Sequence, residues 1–345
     1  MGLVGAILGD IAGMPFEFQQ EIDDWQINEN YDVFGERQAG QHFTDDTVMT
    51  IAVGMAIASG DLDFAKWMKK YGHDYFEVGY GPSFWNWIKS NKSEPYNSYG
   101  NGSAMRASAC GQFAKTLNEA KYLARMSAMP THNHPEGVKG AQVLASCVWM
   151  AEHHDTYSKE DILNYAISEY PSHKYQFSPE IPIKEYEKTA TFDVSCMGSV
   201  PMAIRCFYEY DDFGKMMRQI NRMFVDTDTI GAIAGAIFES YYGKCTDNDE
   251  ELLKRFLNED LYLSFKSIQI SDKTLIHEMI EKIAPNLNRT VCDDIAEQLS
   301  IIEKELSFRE EKTIQNGYCP TCQAKIGFFH KKDIYCFNCG QRFVR

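Results

Sequence analysis

TVMTIAVGMAIAS, Thr47–Ser59, is the stretch whose reading decides the fold. Small and apolar residues recur in it at helical spacing, without the strict alternation of a half-buried strand. GVKGAQVLASCVWMAE, Gly137–Glu152, and TIGAIAGAIFESYY, Thr229–Tyr242, repeat the pattern, and the Ala and Gly of the last suit close helix–helix packing. From residue 1 to about 243 such segments alternate with Gly-rich turns, and strand-like text is scarce. The expected fold class is therefore all-α rather than a doubly wound α/β sheet.

Beyond this region the composition changes twice. A polar run, KCTDNDE at Lys244–Glu250, closes the helical core. Charged amphipathic helices follow, with Leu252, Leu253 and Phe256 and then Ile276, Met279, Ile280 and Ile283 on their apolar faces. The last thirty residues carry four clustered cysteines. The expected organisation is a catalytic domain over 1–245, a helical extension or linker over 246–315 and a small metal-bound module over 316–345.

A chain of 345 residues that is 44% hydrophobic and 13% aromatic can bury a sizeable core. Its formal net charge of −15 argues against non-specific attraction to nucleic acid or an anionic membrane. No segment supplies the roughly 20 apolar residues that span a bilayer. The apolar start, Met1 to Leu8, lacks a basic leader region and runs into Asp10. A cytoplasmic protein is expected, with reduced core thiols at Cys110, Cys147, Cys196, Cys206, Cys245 and Cys292.

Three acidic motifs stand where helices should begin: GDIAGMPFE at Gly9–Glu17, FTDDT at Phe43–Thr47 and DTDT at Asp226–Thr229. Each alone is explained by capping and by the preference of carboxylates for a helix N-terminus. Together they can face one another across a cleft and present paired carboxylates and hydroxyls. Hard cations such as Mg2+ and Mn2+ take oxygen ligands of this kind, and two of them form a Lewis-acid clamp. Two further motifs follow the same logic for a ligand. YGNGSAMR, Tyr99–Arg106, reads as a turn whose backbone N–H groups suit a phosphate. Arg106 in it reads alternatively as structural, paired with an internal carboxylate. THNHPEG, Thr131–Gly137, offers two imidazoles and a carboxylate before a helix, of which His134 and Glu136 serve equally well as caps.

In this order the motifs GDIAGMPFE, FTDDT, YGNGSAMR, THNHPEG and DTDT resemble those of ADP-ribosylglycohydrolases, over Gly5 to about Gly243. The resemblance implies an all-α fold and a dinuclear Mg2+ or Mn2+ centre held by Glu17, Thr44, Asp45, Asp46, Asp226, Asp228 and Thr229. It implies an ADP-ribose cleft lined by Asn101, Gly102, Ser103, Met105 and His132, with Gly198 and Ser199 near the nucleotide or forming a packing turn. The implied reaction is hydrolysis of the N- or O-glycosidic bond between ADP-ribose and an acceptor, which is a protein side chain, a nucleobase or a small molecule. Asp45, Asp46 or Glu17 would act as general base. Phe224-Val225 stand where the family has two glycines, a departure that reshapes the cleft.

Cys319 and Cys322, followed by Cys336 and Cys339, form two C-x-x-C knuckles at the spacing of a four-cysteine zinc ribbon, with 326–335 as a small hairpin. Its one Zn2+ would be structural, since four thiolates leave no open position. Nucleic acid is a possible partner only through this ribbon. Two rival functions remain. MFVDTDT at Met223–Thr229 resembles the D-x-D loop of haloacid-dehalogenase-type phosphatases, although its place late in the chain does not. A non-enzymatic ADP-ribose or nucleotide reader is the other, against which stands the full set of oxygen ligands.

Overall fold

The computed structural model describes residues 2–19, 28, 30–35, 40–271 and 280, together with three short strands near the C-terminus. The chain falls into two compact units, Met1–Pro285 and Asn286–Arg345. In the first, the helices are α1 (Leu3–Gly13), α2 (Asp45–Ala58), α3 (Phe64–Asp74), α4 (Pro82–Lys89) and α5 (Gly102–Met105). They continue with α6 (Ser108–Phe113), α7 (Leu117–Ala128), α8 (Pro135–Glu152), α9 (Lys159–Glu169) and α10 (Ile183–Thr189). The last five are α11 (Cys196–Glu209), α12 (Phe213–Ile220), α13 (Thr227–Tyr242), α14 (Asp249–Phe256) and α15 (Glu259–Gln269).

The centre of this unit is the pair α1 and α13. Every residue of α1 is buried, and α13 is buried from Thr227 to Ser240. A helix that is apolar all round has no face to offer water and must sit inside. Glycines set how closely the two approach. A Cβ added at Gly9 would stand 2.0 Å from the Gly231 carbonyl oxygen, and one at Gly5 1.9 Å from that of Gly235. Neither position admits a side chain without parting the backbones. Thr227 Oγ1 donates to the Gly13 carbonyl at 2.8 Å and fixes the register at the far end. The end of α1 therefore lies beside the start of α13.

Around this pair the amphipathic helices bury one face each. Met68 and Tyr71 of α3, Leu123 and Ala124 of α7, and Ile162 and Ala166 of α9 are all core residues. The two helices after the polar run join the same unit: α14 packs on α1 and α15 on α2. Leu253 of α14 is buried, as are Leu261, Phe265 and Ile268 of α15. Of the apolar positions expected further on, Ile280 is buried; Ile276, Met279 and Ile283 lie outside the described residues.

In the second unit β1 (Gly327–Phe329) and β2 (Asp333–Tyr335) form the antiparallel hairpin expected between the cysteine knuckles, with Phe328 opposite Ile334. β3 (Arg342–Val344) adds a third antiparallel strand, with Phe343 opposite Ile334. Cys319, Cys322, Cys336 and Cys339 lie outside the described residues.

Candidate active site

The register of α1 against α13 puts the three acidic motifs in one place. Asp10, the one charged residue of α1, has no solvent exposure. Its carboxylate accepts from the backbone N–H of Thr44 at 2.9 Å and of Thr47 at 3.1 Å, and from both threonine hydroxyls. Asp10 thus ties the first turn of α2 to α1. Thr44 caps α2 by accepting from the Asp46 N–H at 3.2 Å. The cap orients the Asp46 carboxylate toward α13, where Thr229 Oγ1 donates to its Oδ2 at 3.2 Å.

Glu17 follows a short 3-10 turn, Met14–Phe16, with proline in its first turn, and Phe18 after it adopts a left-handed φ of 65°. This bend brings Glu17 back to the start of α13. Carboxylate oxygens of Glu17, Asp226 and Asp228 all lie within 4.8 Å of one another. With Thr44, Asp45, Asp46 and Thr229 they line a single cleft of about 1120 Å³. That volume is just above the roughly 300–1,000 Å3 typical of small-molecule sites, and leaves room for an elongated ligand.

Among the described residues the cleft lining holds one fixed cation, Arg106, against five carboxylates of the acidic cluster, and buried carboxylates so crowded resist ionisation. Burial pushes Glu17 up to about 7, with Asp226 and then Asp10 adding repulsion. Burial, then Asp10 and Asp226, push Asp45 up to about 8. Asp46 and Asp228 are held well above the usual carboxylate range, first by burial and then by neighbouring carboxylates. Asp46 Oδ1 is buried and has no hydrogen-bond partner among the described residues. An unpartnered buried carboxylate oxygen amid like charges is what a divalent cation would relieve, and the all-oxygen set fits a hard one. The donors present therefore fit Mg2+ or Mn2+.

The other end of the cleft is built by loops. An antiparallel bridge joins Gly100 to Ser195, and Asn101 N–H donates to the Val194 carbonyl at 2.8 Å. Asn101 Nδ2 donates to Asp226 Oδ2 at 2.7 Å and to Ser199 Oγ at 2.8 Å, joining the YGNG turn to the acidic cluster. Asn101, Gly102, Met105 and His132 line the cleft. Ser103 lies behind it and donates to the Gly137 carbonyl at 2.7 Å. Ser199 is buried, and a Cβ at Gly198 would meet Asp193 Cγ at 2.5 Å, so both brace the loop that carries Asp193. His132 is held neutral, far below the ordinary imidazole range, by burial and then by Arg106; its Nδ1 bonds to Thr131 Oγ1 at 2.7 Å. His134 caps α8 by accepting from Glu136 N–H, and Glu136 pairs with Lys139 at 2.7 Å.

One expectation needs amending, and the Phe224 departure can be placed. Arg106 is buried as a structural residue, but its Nη2 donates to the Ser127 carbonyl at 3.1 Å and Thr131 Oγ1 at 2.8 Å rather than to a carboxylate. Neutral acceptors on α7 and its exit turn reach it first. Phe224 is not among the residues that line the cleft. It packs on Phe192, ring centroids 5.8 Å apart, and Phe192 in turn on Phe18 at 4.9 Å. Asp10 was missed as a site residue although it stands inside a quoted motif. The only available signal was a lone acid in an otherwise apolar helix.

The sequence profile of the ADP-ribosylglycohydrolase family matches residues 1–248. The chain is 26% identical over 310 residues to an "ADP-ribosylhydrolase ARH3" of Gallus gallus, covering 70% of this chain and 84% of that one. It is 27% identical over 307 residues to the protein of the same name from Homo sapiens, with the same coverage. A solved structure titled "ADP-ribosylglycohydrolase-related protein complex" superimposes with a TM-score of 0.55 at 20% identity, covering 79% of this chain and 98% of its own. That likeness shows the fold.

Proposed function

Since the chain belongs to the ADP-ribosylglycohydrolase family, and is thereby a hydrolase of ADP-ribosyl bonds, we propose that it cleaves the N- or O-glycosidic bond between ADP-ribose and an acceptor with two Mg2+ or Mn2+ ions. Glu17, Thr44, Asp45, Asp46, Asp226, Asp228 and Thr229 would hold the ions. The observation that carries the reading is the convergence of carboxylates from α1's exit, α2's first turn and α13's first turn on one cleft. Two divalent cations, when bound, supply the positive charge that polarises ribose hydroxyls and acidifies water.

The protein's own groups do the rest. Asn101, Gly102, Met105 and His132 face the ligand, with Ser103, Gly198 and Ser199 supporting that wall. Among the candidate bases Asp45, Asp46 and Glu17, Asp46 is already engaged by Thr44 and Thr229. Glu17 and Asp45 are both half-buried, so either carboxylate can take a proton from the attacking water and pass it to solvent. The remaining carboxylates face the oxocarbenium-like charge that develops on the sugar. The fold offers no parallel sheet among the described residues of the first unit to carry a haloacid-dehalogenase site.

The four C-terminal cysteines are proposed to hold one structural Zn2+ in a module over 316–345, with 246–315 as a helical extension or linker after the catalytic domain over 1–245. Among the described residues no helix is long and apolar enough to cross a membrane.

The reading is tested by mass spectrometry on a panel of ADP-ribosylated arginine, serine, nucleobase and small-molecule substrates. Release of free ADP-ribose with Mg2+ or Mn2+, abolished by excess EDTA and restored by the cation, is the expected result. Full activity in EDTA, or binding without release on every substrate, contradicts it.

A further inference from the structure

Three phenylalanines from three separate segments meet at the mouth of the cleft, and none has a part in the chemistry described so far. Phe18 follows Glu17, Phe192 lies in the loop before α11, and Phe224 stands two residues ahead of Asp226. Phe18 is 65% exposed and Phe224 36%. Scattered surface rings need no explanation, but rings gathered at one rim do.

Their anchoring is unequal. Met223 and Val225 are buried on either side of Phe224 and fix its place. The Phe192 loop is fastened by the Asn101 N–H to the Val194 carbonyl, and by the Ser195 N–H to Asp193 Oδ1 at 2.7 Å. Phe18 is different. Its left-handed φ of 65° is one that a bulky residue keeps only where its surroundings enforce it. The backbone bonds of this bend are local: Glu17 N–H donates to the Met14 carbonyl at 3.3 Å, and Gln19 N–H to that of Phe16 at 3.1 Å. Such bonds shape a turn without tying it to the opposite wall. The bend also carries Glu17 to within 4.8 Å of Asp226 and Asp228, which repel it when ionised. The rings supply the tie. Phe18 meets Phe192 at 4.9 Å, and Phe192 meets Phe224 at 5.8 Å, so the exit of α1 is joined through the Phe192 loop to the entry of α13.

We propose that Phe18, Phe192 and Phe224 are positioning residues, a brace of three rings that holds the Glu17 turn so that its carboxylate is in place before a cation arrives. This rests on the reading that Glu17 is a metal ligand.

Phe224→Ala removes the best-anchored ring and touches no proposed ligand. In the full-length chain in EDTA, hydrogen exchange over Met14–Gln19, read by mass spectrometry, is expected to quicken roughly three- to tenfold, the worth of one aromatic pair. Mn2+ affinity by calorimetry is expected to fall by a similar factor, and Phe224→Leu to recover most of both. In a Glu17→Gln background Phe224→Ala is expected to cost no further Mn2+ affinity, because the rings act through Glu17. Unchanged exchange over Met14–Gln19 overturns the proposal, as does an equal loss of Mn2+ affinity with and without Glu17. Exchange raised throughout the chain with a lowered thermal midpoint also overturns it and assigns the rings to the fold. Wild-type protein that takes up no Mn2+ refutes the metal reading instead, and the exchange rates in EDTA then decide the brace alone.

Discussion

Asp46→Asn is expected to raise the thermal midpoint of the metal-free protein while lowering turnover by roughly 10²–10³-fold or more. The two effects have one cause. Burial, and then repulsion from Asp10, Asp45 and Asp226, hold Asp46 well above the usual carboxylate range. Asparagine removes that repulsion and keeps an oxygen for the Thr229 hydroxyl, which now reaches Asp46 Oδ2 at 3.2 Å. The same substitution withdraws a charged ligand from the proposed ions and leaves fewer negative groups near the reacting sugar. Scanning calorimetry in EDTA and initial rates with saturating cation check the two halves. A destabilised variant that keeps its rate would make Asp46 an architectural residue.

The second large effect is on the pH dependence of cation binding. Glu17 and Asp45 rise from ordinary values of 4.5 and 3.8 to about 7 and about 8. The metal-free native state therefore keeps protons that the unfolded chain has released, so its stability falls as pH rises from about 4 to about 8. Divalent cations bind the deprotonated carboxylates and release those protons. The increase in thermal midpoint on adding excess Mg2+ or Mn2+ is accordingly expected to grow steadily between pH 5 and pH 8. A gain that is flat or shrinks over that range would mean that the cation binds elsewhere.

Much of the site was legible because capping and metal binding ask for the same residues at the same positions. Thr44 is a helix cap, as the local pattern of FTDDT suggests, and that cap is what turns Asp46 toward Thr229. DTDT at the start of α13 differs: Asp226 makes no side-chain cap bond there, and its carboxylate is engaged by Asn101 instead. The Ala- and Gly-rich text of Thr229–Tyr242 announced close packing, but its partner lay more than two hundred residues away in Leu3–Gly13. Periodicity reports which face of a helix is apolar and not which helix covers it. Asp10 was hidden for the same reason, since its four hydrogen-bond donors come from Thr44 and Thr47 on another helix. Phe224 illustrates the converse: the departure from glycine was visible, but its contact with Phe192 at the cleft mouth was not.

Metal dependence is most directly tested by anomalous diffraction from crystals of the full chain grown with Mn2+. Two manganese peaks inside the cleft, between Glu17 and Asp226–Asp228 on one side and Asp45–Asp46 on the other, are the predicted result. A cleft without manganese at millimolar concentration, or ions bound only on the exterior, would contradict it.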